Sequence, residues 1–327
     1  MFYFRLRTWD EAYRWGCNAR RHHPANADIW DLRFHWRNRA ESLYRQILSG
    51  DYRLSAMQRY REPSGESYVM WSAQDAPVLK WVTLIIRSYL PVHEACTHVA
   101  GRQGRREQLS EIDVWLKQGD WYVFRTDIRG YYRHIRRESA YALVCQHVAH
   151  PVLRDLVRQY LYYSVEEGGE FYTPLSGICR GCSLSPLIGA ALLWETDRRL
   201  SALKGIHYRR YMDDFLILSD RRWPVRRARE LLYEHFDINE FSAHPDKTQV
   251  GKTEKGFDWL GVWFTARGAE GIAPRAPENH RCRRLRLEEQ LRRRGLSETA
   301  IAERVQRYEQ RWNIRASGLA ASSGDGT

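Results

Sequence analysis

Two adjacent carboxylates, Asp213 and Asp214, stand in the middle of an apolar and aromatic run from Tyr208 to Leu218. The apolar residues on both sides predict two strands, and the polar pair predicts the tight turn that joins them. Asp tolerates the backbone angles that such turns require. Neighbouring anions in an apolar setting repel each other and lose hydration, so a divalent cation would stabilise the pair. The alternative is an ordinary solvated turn.

A third carboxylate follows a similar strand pattern upstream. The run from Trp121 to Ile128 is again rich in strand-forming residues, and Asp127 lies near its end. If Asp127 lies beside the predicted turn, it can share Mg²⁺ ions with Asp213. Two Mg²⁺ ions held close together activate an attacking hydroxyl and stabilise a leaving pyrophosphate. The three carboxylates therefore predict nucleotidyl transfer.

Three segments resemble the motifs of one known family, the reverse transcriptases. Tyr211-Met212-Asp213-Asp214 resembles their motif C, and the segment from Asp127 to Tyr132 resembles motif A. Between them, the segment from Gly177 to Leu187 resembles motif B. Within that family, the motifs most resemble those of the bacterial enzymes of group II introns, retrons and phage defence. The resemblance implies an α+β fold, the right-hand polymerase fold, with fingers, a palm built on an antiparallel sheet with packed helices, and a small helical thumb.

Placing the family's domains on this chain divides it into five parts. They are an N-terminal extension (1–26), fingers (27–119), a palm that includes motif B (120–266), a basic helical thumb (267–316) and a disordered tail (317–327).

Periodicity and breakers predict the helices. Apolar residues recur at helical spacing from Ala27 to Ser49, where Gly50 ends the helix. Asp75 and Pro77 predict the start of an apolar helix. Two helices are expected within 137–163, separated near Pro151.

The second half of the chain gives further expectations. A single long helix is predicted from Leu184 to Leu203, and an amphipathic helix from Val225 to Phe236. A Gly/Pro-rich linker is expected from Gly268 to Pro277, before the thumb.

The resemblance also implies roles around the incoming nucleotide. The carbonyl of Ile128 would complete a metal shell, and Tyr132 would exclude a 2′-hydroxyl. Arg180 stands where relatives carry Gln, so Arg180 and Gly181 would contact phosphate or template. Lys247 lies in a segment similar to motif D and is a candidate general acid for the departing pyrophosphate; an ordinary surface lysine is the alternative.

One departure from the family concerns the fingers. The basic residue usual after the turn at 63–65 is absent, because Glu66, Ser67 and Tyr68 stand there. Arg59 or Arg61, on the preceding predicted strand, would substitute for it in binding the triphosphate. Two exposed strand arginines are the alternative.

Nucleic-acid contacts are expected from three places. Arg102 and Arg105 lie in a Gly/Arg segment that resembles the loop before the palm. Trp259 and Gly261 lie in a segment similar to motif E, the primer grip. The predicted thumb has ten Arg against five Glu between residues 281 and 311, with Arg283 and Arg286 as candidates. A solvated helical hairpin is the alternative.

Composition agrees with a nucleic-acid partner. The 327 residues carry a formal net charge of +12, which suits contact with phosphates. They include 13 Trp and 19 Tyr, whose rings suit base stacking. Six Cys form no disulfide framework, which predicts a cytoplasmic protein. We expect no signal peptide, and the best membrane candidate, Val78 to Val92, is too short and carries Lys80 and Arg87.

The resemblance therefore implies an RNA-directed DNA polymerase, a compact stand-alone enzyme of a retron-like, mobile-element or anti-phage setting. Two Mg²⁺ ions, with Mn²⁺ as an alternative, would be held by Asp127, Asp213 and Asp214. The expected partners are dNTPs, an RNA template (a cognate non-coding RNA) and the DNA product, without a membrane; oligomerisation is left open. The competing predictions are a non-catalytic RNA-binding scaffold and a template-independent terminal transferase.

Overall fold

The computed structural model describes residues 6–61, 67–99 and 104–321. Arg102 and the predicted turn at 63–65 lie outside these residues, and so does the end of the predicted tail, 322–327. The described chain is a mixture of helices and strands, as the predicted α+β class requires.

The helices, in chain order, are α1 Leu6–Ala19, α2 Asp28–Ser49, α3 Asp75–Ile86, α4 Arg105–Leu116, α5 Tyr131–His134, α6 Arg137–His147, α7 Pro151–Leu161, α8 Leu184–Leu192, α9 Trp194–Ser201, α10 Arg222–Ile238, α11 Arg275–Arg293 and α12 Glu298–Ala321. The strands are β1 Met57–Arg61, β2 Ser67–Met70, β3 Tyr122–Asp127, β4 Val165–Glu167, β5 Glu170–Tyr172, β6 His207–Tyr211, β7 Asp214–Ser219, β8 Gln249–Lys252, β9 Phe257–Trp259, β10 Val262–Thr265 and β11 Gly268–Ile272. Short 3₁₀ turns at Pro245–Lys247 and Thr253–Lys255 flank β8.

The chain forms two compact units. The first comprises Met1–Tyr60, Ser67–His93 and Gly130–Glu195, and it holds the small sheet with strand order β2-β1-β4-β5. Its core is centred on α3, whose Val78, Leu79, Trp81 and Val82 are fully buried. Since nine of the twelve residues of α3 are buried, it is a core helix, as predicted.

The second unit comprises Arg61–Glu66, Glu94–Arg129 and Thr196–Thr327. Its main sheet has the order β6-β7-β3-β8, and every neighbouring pair is antiparallel, which confirms the antiparallel palm sheet. Helix α10 packs on this sheet through Val225, Ala228, Leu232 and Phe236, all buried. The continuous apolar run from Phe215 to Leu218 in β7 and the helical spacing along α10 therefore meet in one core.

A second sheet, with order β11-β10-β9, packs against α4 in the same unit. Its core joins Leu109 and Ile112 of α4 to Phe257, Trp259 and Phe264 of the strands. The hairpin of α11 and α12 follows, and Leu291, Ile301 and Val305 form its small apolar core.

Several local predictions are confirmed. Gly50 ends α2 in the left-handed conformation (φ 82°), which glycine adopts without steric cost. The two helices of 137–163 are separated before Pro151. Within the described residues, none of the helices combines the length and hydrophobicity of a membrane span.

Three predictions about elements are wrong. The single helix from Leu184 to Leu203 is two helices, α8 and α9, which break at Leu193 (φ −95°, ψ 6°). The linker expected from Gly268 to Pro277 contains β11, and α11 begins at Arg275. Helix α12 continues to Ala321, so 317–321 is helical where disorder was expected.

Candidate active site

The two carboxylate-bearing segments meet at one end of the main sheet. In the antiparallel register of β3 with β7, Asp127 lies opposite Asp214. The hairpin of β6 and β7 closes with Tyr211 opposite Asp214, so Met212 and Asp213 form a two-residue turn. One oxygen from each of Asp127, Asp213 and Asp214 lies within 4.8 Å of the others. The structure thus brings together the three carboxylates that the sequence singled out.

The turn differs in one detail from the expectation. The residue with positive φ is Met212 (φ 56°) rather than an Asp, and Asp214 opens the strand. Positive φ is uncommon for a side chain such as Met, so neighbouring contacts must hold it. The Met212 amide donates to His98 Nδ1 (3.0 Å), and Arg210 Nη1 donates to the Met212 carbonyl (2.7 Å).

Arg210 is itself fixed by a fully buried ion pair. Its Nη2 lies 2.5 Å from Asp197 Oδ2 on α9, and both side chains are fully buried. The Tyr208 hydroxyl donates to the other oxygen of Asp197 at 2.6 Å. This network anchors the carboxylate turn to α9.

A third segment closes the other side of Asp127. The His244 amide donates to the Asp127 carbonyl (2.8 Å), and the Ile128 amide donates to the Asp213 carbonyl (3.1 Å). The 3₁₀ turn Pro245–Lys247 then directs Lys247 Nζ onto Asp127 Oδ2, as an ion pair. Lys247, predicted from its motif alone, lies in contact with the carboxylate cluster.

The charge of Asp214 is only partly compensated by its neighbours. Burial raises the pKa of Asp214 to about 6, and the charge of Asp127 adds to the rise, while Arg125 and Lys247 oppose it. Asp214 Oδ1 is buried and has no hydrogen-bond partner. For Lys247, burial lowers the pKa, but the hydrogen bond and charge of Asp127 outweigh it and the pKa is raised.

This donor set fits a hard divalent cation. Carboxylate oxygens are the ligands that Mg²⁺ and Mn²⁺ prefer, and the unsatisfied oxygen of Asp214 would gain a ligand bond. A cation would also offset the repulsion from Asp127, which adds to the effect of burial in raising the pKa of Asp214. Asp127, Asp213 and Asp214 are therefore the residues that could hold it.

Arg125 is a site residue that sequence reasoning missed. It lies two positions before Asp127, with Nη2 3.6 Å from Asp214 Oδ1 and Nη1 3.6 Å from Asp258 Oδ2 on β9. Asp258 Oδ1 in turn accepts a hydrogen bond from the Gly261 amide (3.1 Å). A charged residue that follows the apolar run from Tyr122 to Phe124 within one strand is the signal that could have identified it.

The turn at Leu260 and Gly261, in the predicted primer grip, has positive φ at both residues (50° and 83°). Arg105 donates to the Leu260 carbonyl, and the Ala273 amide donates to the Gly261 carbonyl (3.0 Å). Beside this turn is a cavity of about 570 Å³. Its lining includes Arg105, Tyr211, Lys247, Gly261, Arg283 and Trp312.

The other predicted nucleic-acid contacts have mixed outcomes. Arg283 lines the cavity, whereas Arg286 is exposed on α11. Trp259 is fully buried in the core against α4, which corrects its interpretation as a contact residue, because its ring has no accessible face. Its role in this structure is to support the turn that follows it.

Tyr132, Arg180 and Gly181 belong to the first unit. Tyr132 is buried, and the guanidinium of Arg180 lies over its ring, 5.7 Å from the centroid. Gly181 has φ 79° and open space around its Cα, so its backbone is accessible. Gly177 packs tightly, because a Cβ there would lie 2.8 Å from the Arg133 and Tyr132 backbones.

Arg59 has partners within the first unit. Its Nε lies 3.3 Å from Glu167 Oε2, and it donates to the Tyr172 hydroxyl. Its charge is therefore compensated on the small sheet. Arg61 is the last residue of β1.

An antiparallel sheet with helices packed on it and three carboxylates at the end of its central strands defines the palm of a right-hand polymerase. Residues 80–264 match the family model described as Reverse transcriptase (RNA-dependent DNA polymerase). That segment is more than half of the chain, and the chain belongs to this family.

Among curated proteins, the chain is similar to the retron Mx162 reverse transcriptase of Myxococcus xanthus, with 26% identity over 221 residues. The aligned segment covers 61% of this chain and 44% of that relative, so the chain spans less than half of the relative's length. Among solved structures, a Candida albicans telomerase bound to a fragment of telomeric RNA matches with a TM-score of 0.47, 14% identity, and coverage of 60% and 37%. A truncated apo telomerase of Candida tropicalis matches with a TM-score of 0.43 and 12% identity, and the match covers 58% of this chain and 43% of that one. These two likenesses are distant.

Proposed function

We propose that this protein is an RNA-directed DNA polymerase that adds dNTPs to a primer 3′-hydroxyl by two-metal nucleotidyl transfer. The proposal extends the family membership, because the family's description is RNA-dependent DNA polymerase. It also agrees with the similarity to a retron reverse transcriptase.

The observation that carries the proposal is the convergence of Asp127, Asp213 and Asp214 within 4.8 Å. A scaffold that only bound RNA would gain nothing from clustering three anions, one buried and two half-buried, since such a cluster is costly without a cation. Divalent ions held there would activate the attacking hydroxyl and stabilise the leaving pyrophosphate. Mg²⁺ is the proposed ion, with Mn²⁺ as a substitute, and the Ile128 carbonyl is the proposed fourth ligand.

Other residues take proposed roles in binding the nucleotide and the nucleic acid. Lys247, in contact with Asp127, would pass to the triphosphate once cations occupy the carboxylates, and would protonate the pyrophosphate. Tyr132 would exclude a 2′-hydroxyl, with Arg180 and the open backbone of Gly181 contacting phosphate or template. Arg105, Gly261 and Arg283 would contact the primer–template through the cavity that they line.

The proposed partners are dNTPs, an RNA template and the DNA product. A cognate non-coding RNA is the proposed template, by analogy with the retron relative, in a cytoplasmic retron-like, mobile-element or defence setting. The basic surface implied by a net charge of +12 supports a nucleic-acid partner.

The test is to incubate the purified protein and Mg²⁺ with each dNTP singly, on a DNA primer with and without an annealed RNA template. We expect incorporation only of the dNTP complementary to the next template base. Incorporation without RNA would instead indicate terminal transfer. RNA binding without incorporation of any dNTP would indicate the scaffold, and either result would contradict the proposal.

A further inference from the structure

A groove lies between α10 and β8 in the second unit, at the end of the main sheet away from the carboxylates. Its volume is about 780 Å³, and Tyr122 and Val123 at the start of β3 form part of its lining. Asp127 is the last residue of the same strand. With a rise of about 3.3 Å per residue, the groove is roughly 17 Å from the carboxylates along β3. It is therefore separate from the site described above.

Basic side chains line both walls of this groove. Arg222, Arg226 and Arg229 are spaced i, i+4 and i+7 along α10, which places them on one helix face. Lys252 at the end of β8 and Lys255 after it lie on the opposite wall. All five of these side chains are exposed. Seven residues of helix span roughly 10 Å, so the positive charge extends along a line.

The acidic residues of the groove compensate this charge only partly. Its lining contains two carboxylates, Glu230 and Glu254. Glu230 lies 3.1 Å from Arg226, and Glu254 lies 3.7 Å from Lys252. These pairs are solvent-exposed and therefore weak, so an incoming phosphate can replace either carboxylate.

The groove is also accessible to a long ligand. Strand β8 is the last in the order β6-β7-β3-β8, and Val250 on it is 52% exposed. Among the described residues, no strand pairs with its outer edge. An extended polyanion can therefore enter from the side of the sheet.

We propose that this groove, defined by Arg222, Arg226, Arg229, Lys252 and Lys255, binds the phosphate backbone of RNA away from the carboxylate site. A row of exposed arginines facing lysines is complementary to successive phosphates of one strand. The choice of RNA over another polyanion rests on the proposed function. The groove would hold a distal part of the RNA whose other part serves as template, so it would determine how a long RNA is retained.

The test compares two ligands. One is a short RNA–DNA hybrid, and the other is the same hybrid with long single-stranded RNA extensions at both template ends. The variant carries Arg222→Gln, Arg226→Gln and Arg229→Gln. The control carries Arg37→Gln, Arg39→Gln and Arg45→Gln, which removes the same charge from three exposed arginines of α2. Affinity is measured by fluorescence anisotropy over a range of salt concentrations.

We expect the groove variant to bind the extended ligand at least about tenfold more weakly than wild type, with the slope of log affinity against log salt reduced by about 2, as for three lost phosphate contacts. Binding of the short hybrid should be unchanged, and the control should behave as wild type. If the arginine variant does not fold, Lys252→Gln with Lys255→Gln tests the opposite wall.

Unchanged affinity of the groove variants for the extended ligand would overturn the inference, and so would an equal loss in the α2 control. If the groove instead binds an acidic protein, the groove variants would keep their affinity for the extended RNA ligand. Because the readout is binding, it does not depend on catalysis. Wild-type protein that binds the extended RNA through the groove but incorporates no dNTP would refute the proposed function alone.

Discussion

Arg125 Nη2 lies 3.6 Å from Asp214 Oδ1, and the same guanidinium reaches Asp258 at 3.6 Å. Arg125 thus connects the carboxylate cluster to the turn at Gly261, because Asp258 accepts a hydrogen bond from the Gly261 amide. Its charge opposes the burial and the Asp127 charge that raise the pKa of Asp214. We therefore expect Arg125 to be a positioning residue that acts through Asp214.

Replacing Arg125 should shift the pH dependence of activity. Asp214 must be ionised to hold a cation, and its pKa is already raised to about 6. In Arg125→Gln the opposing charge is lost, so the pKa rises further and the acidic limb of the rate profile moves to higher pH. More Mg²⁺ should be needed at low pH. The profile is measured by primer extension at several Mg²⁺ concentrations; Arg125→Lys, which keeps the charge, should stay near wild type. If the acidic limb lies at the same pH in Arg125→Gln as in Arg125→Lys, this role is contradicted.

Asp214 should also destabilise the metal-free protein above about pH 6. Its folded pKa is raised from 3.8 to about 6, so its folded form holds the proton more tightly. The resulting contribution to stability is present at low pH and is lost as pH rises through the folded pKa. Asp214→Asn should therefore raise the unfolding free energy at neutral pH in a chelator, by at most about 3 kcal/mol.

Urea unfolding in EDTA at acidic and neutral pH measures this effect. Asp220→Asn, an exposed carboxylate just after the other end of β7, is the matched control and should change little. Added Mg²⁺ should stabilise wild type more than Asp214→Asn. A variant less stable than wild type at neutral pH in EDTA would argue against an under-compensated carboxylate.

Lys247 should act on the rate more than on nucleotide binding. Its ion pair with Asp127 places its ammonium group at the cluster, and general acids contribute typically about 10²–10⁴-fold. Lys247→Gln should reduce kcat by that order, with a smaller change in the KM for dNTP. Lys117→Gln is the control, because it removes another Lys–Asp ion pair, in which Lys117 Nζ lies 2.7 Å from Asp113 Oδ2. Wild-type kcat in Lys247→Gln would identify an ordinary surface lysine.

The buried Asp197–Arg210 pair should matter far more for stability than an exposed pair. In Asp197→Asn, Arg210 is left as a buried charge without its anion, a loss of about 3–5 kcal/mol. Glu234→Gln removes the exposed pair that Arg199 forms at 3.1 Å, and should cost less than about 1 kcal/mol. Urea unfolding of both variants gives the comparison; equal costs would contradict the buried network.

The parts of the fold that followed from sequence depend on short-range patterns. The β6–β7 hairpin around Asp213 and the end of α2 at Gly50 are specified by residues within a few positions. Asp127 could be grouped with Asp213 because strand ends carrying the same chemistry tend to belong to one site. The family resemblance then supplied their order and the role of Lys247.

The parts that did not follow depend on tertiary contacts. The segment from Gly268 to Ile272 has a linker's composition, but pairing with β10 makes it a strand. Apolar spacing continues through Leu193, so it gives no sign that α8 ends there. The partners of Arg210 and Arg125 lie 13 and 133 residues away, at Asp197 and Asp258, and a single sequence does not indicate such pairings.

The most direct test of the central claim is Mg²⁺-dependent extension of a DNA primer on an RNA template by wild type, Asp127→Asn, Asp213→Asn and Asp220→Asn. The three cluster carboxylates converge within 4.8 Å, whereas Asp220 is exposed just after the opposite end of β7. Wild type and Asp220→Asn should extend the primer, while Asp127→Asn and Asp213→Asn, folded by circular dichroism, should give no product. Extension by either cluster variant at the wild-type rate would contradict the assignment of these carboxylates as the catalytic metal site.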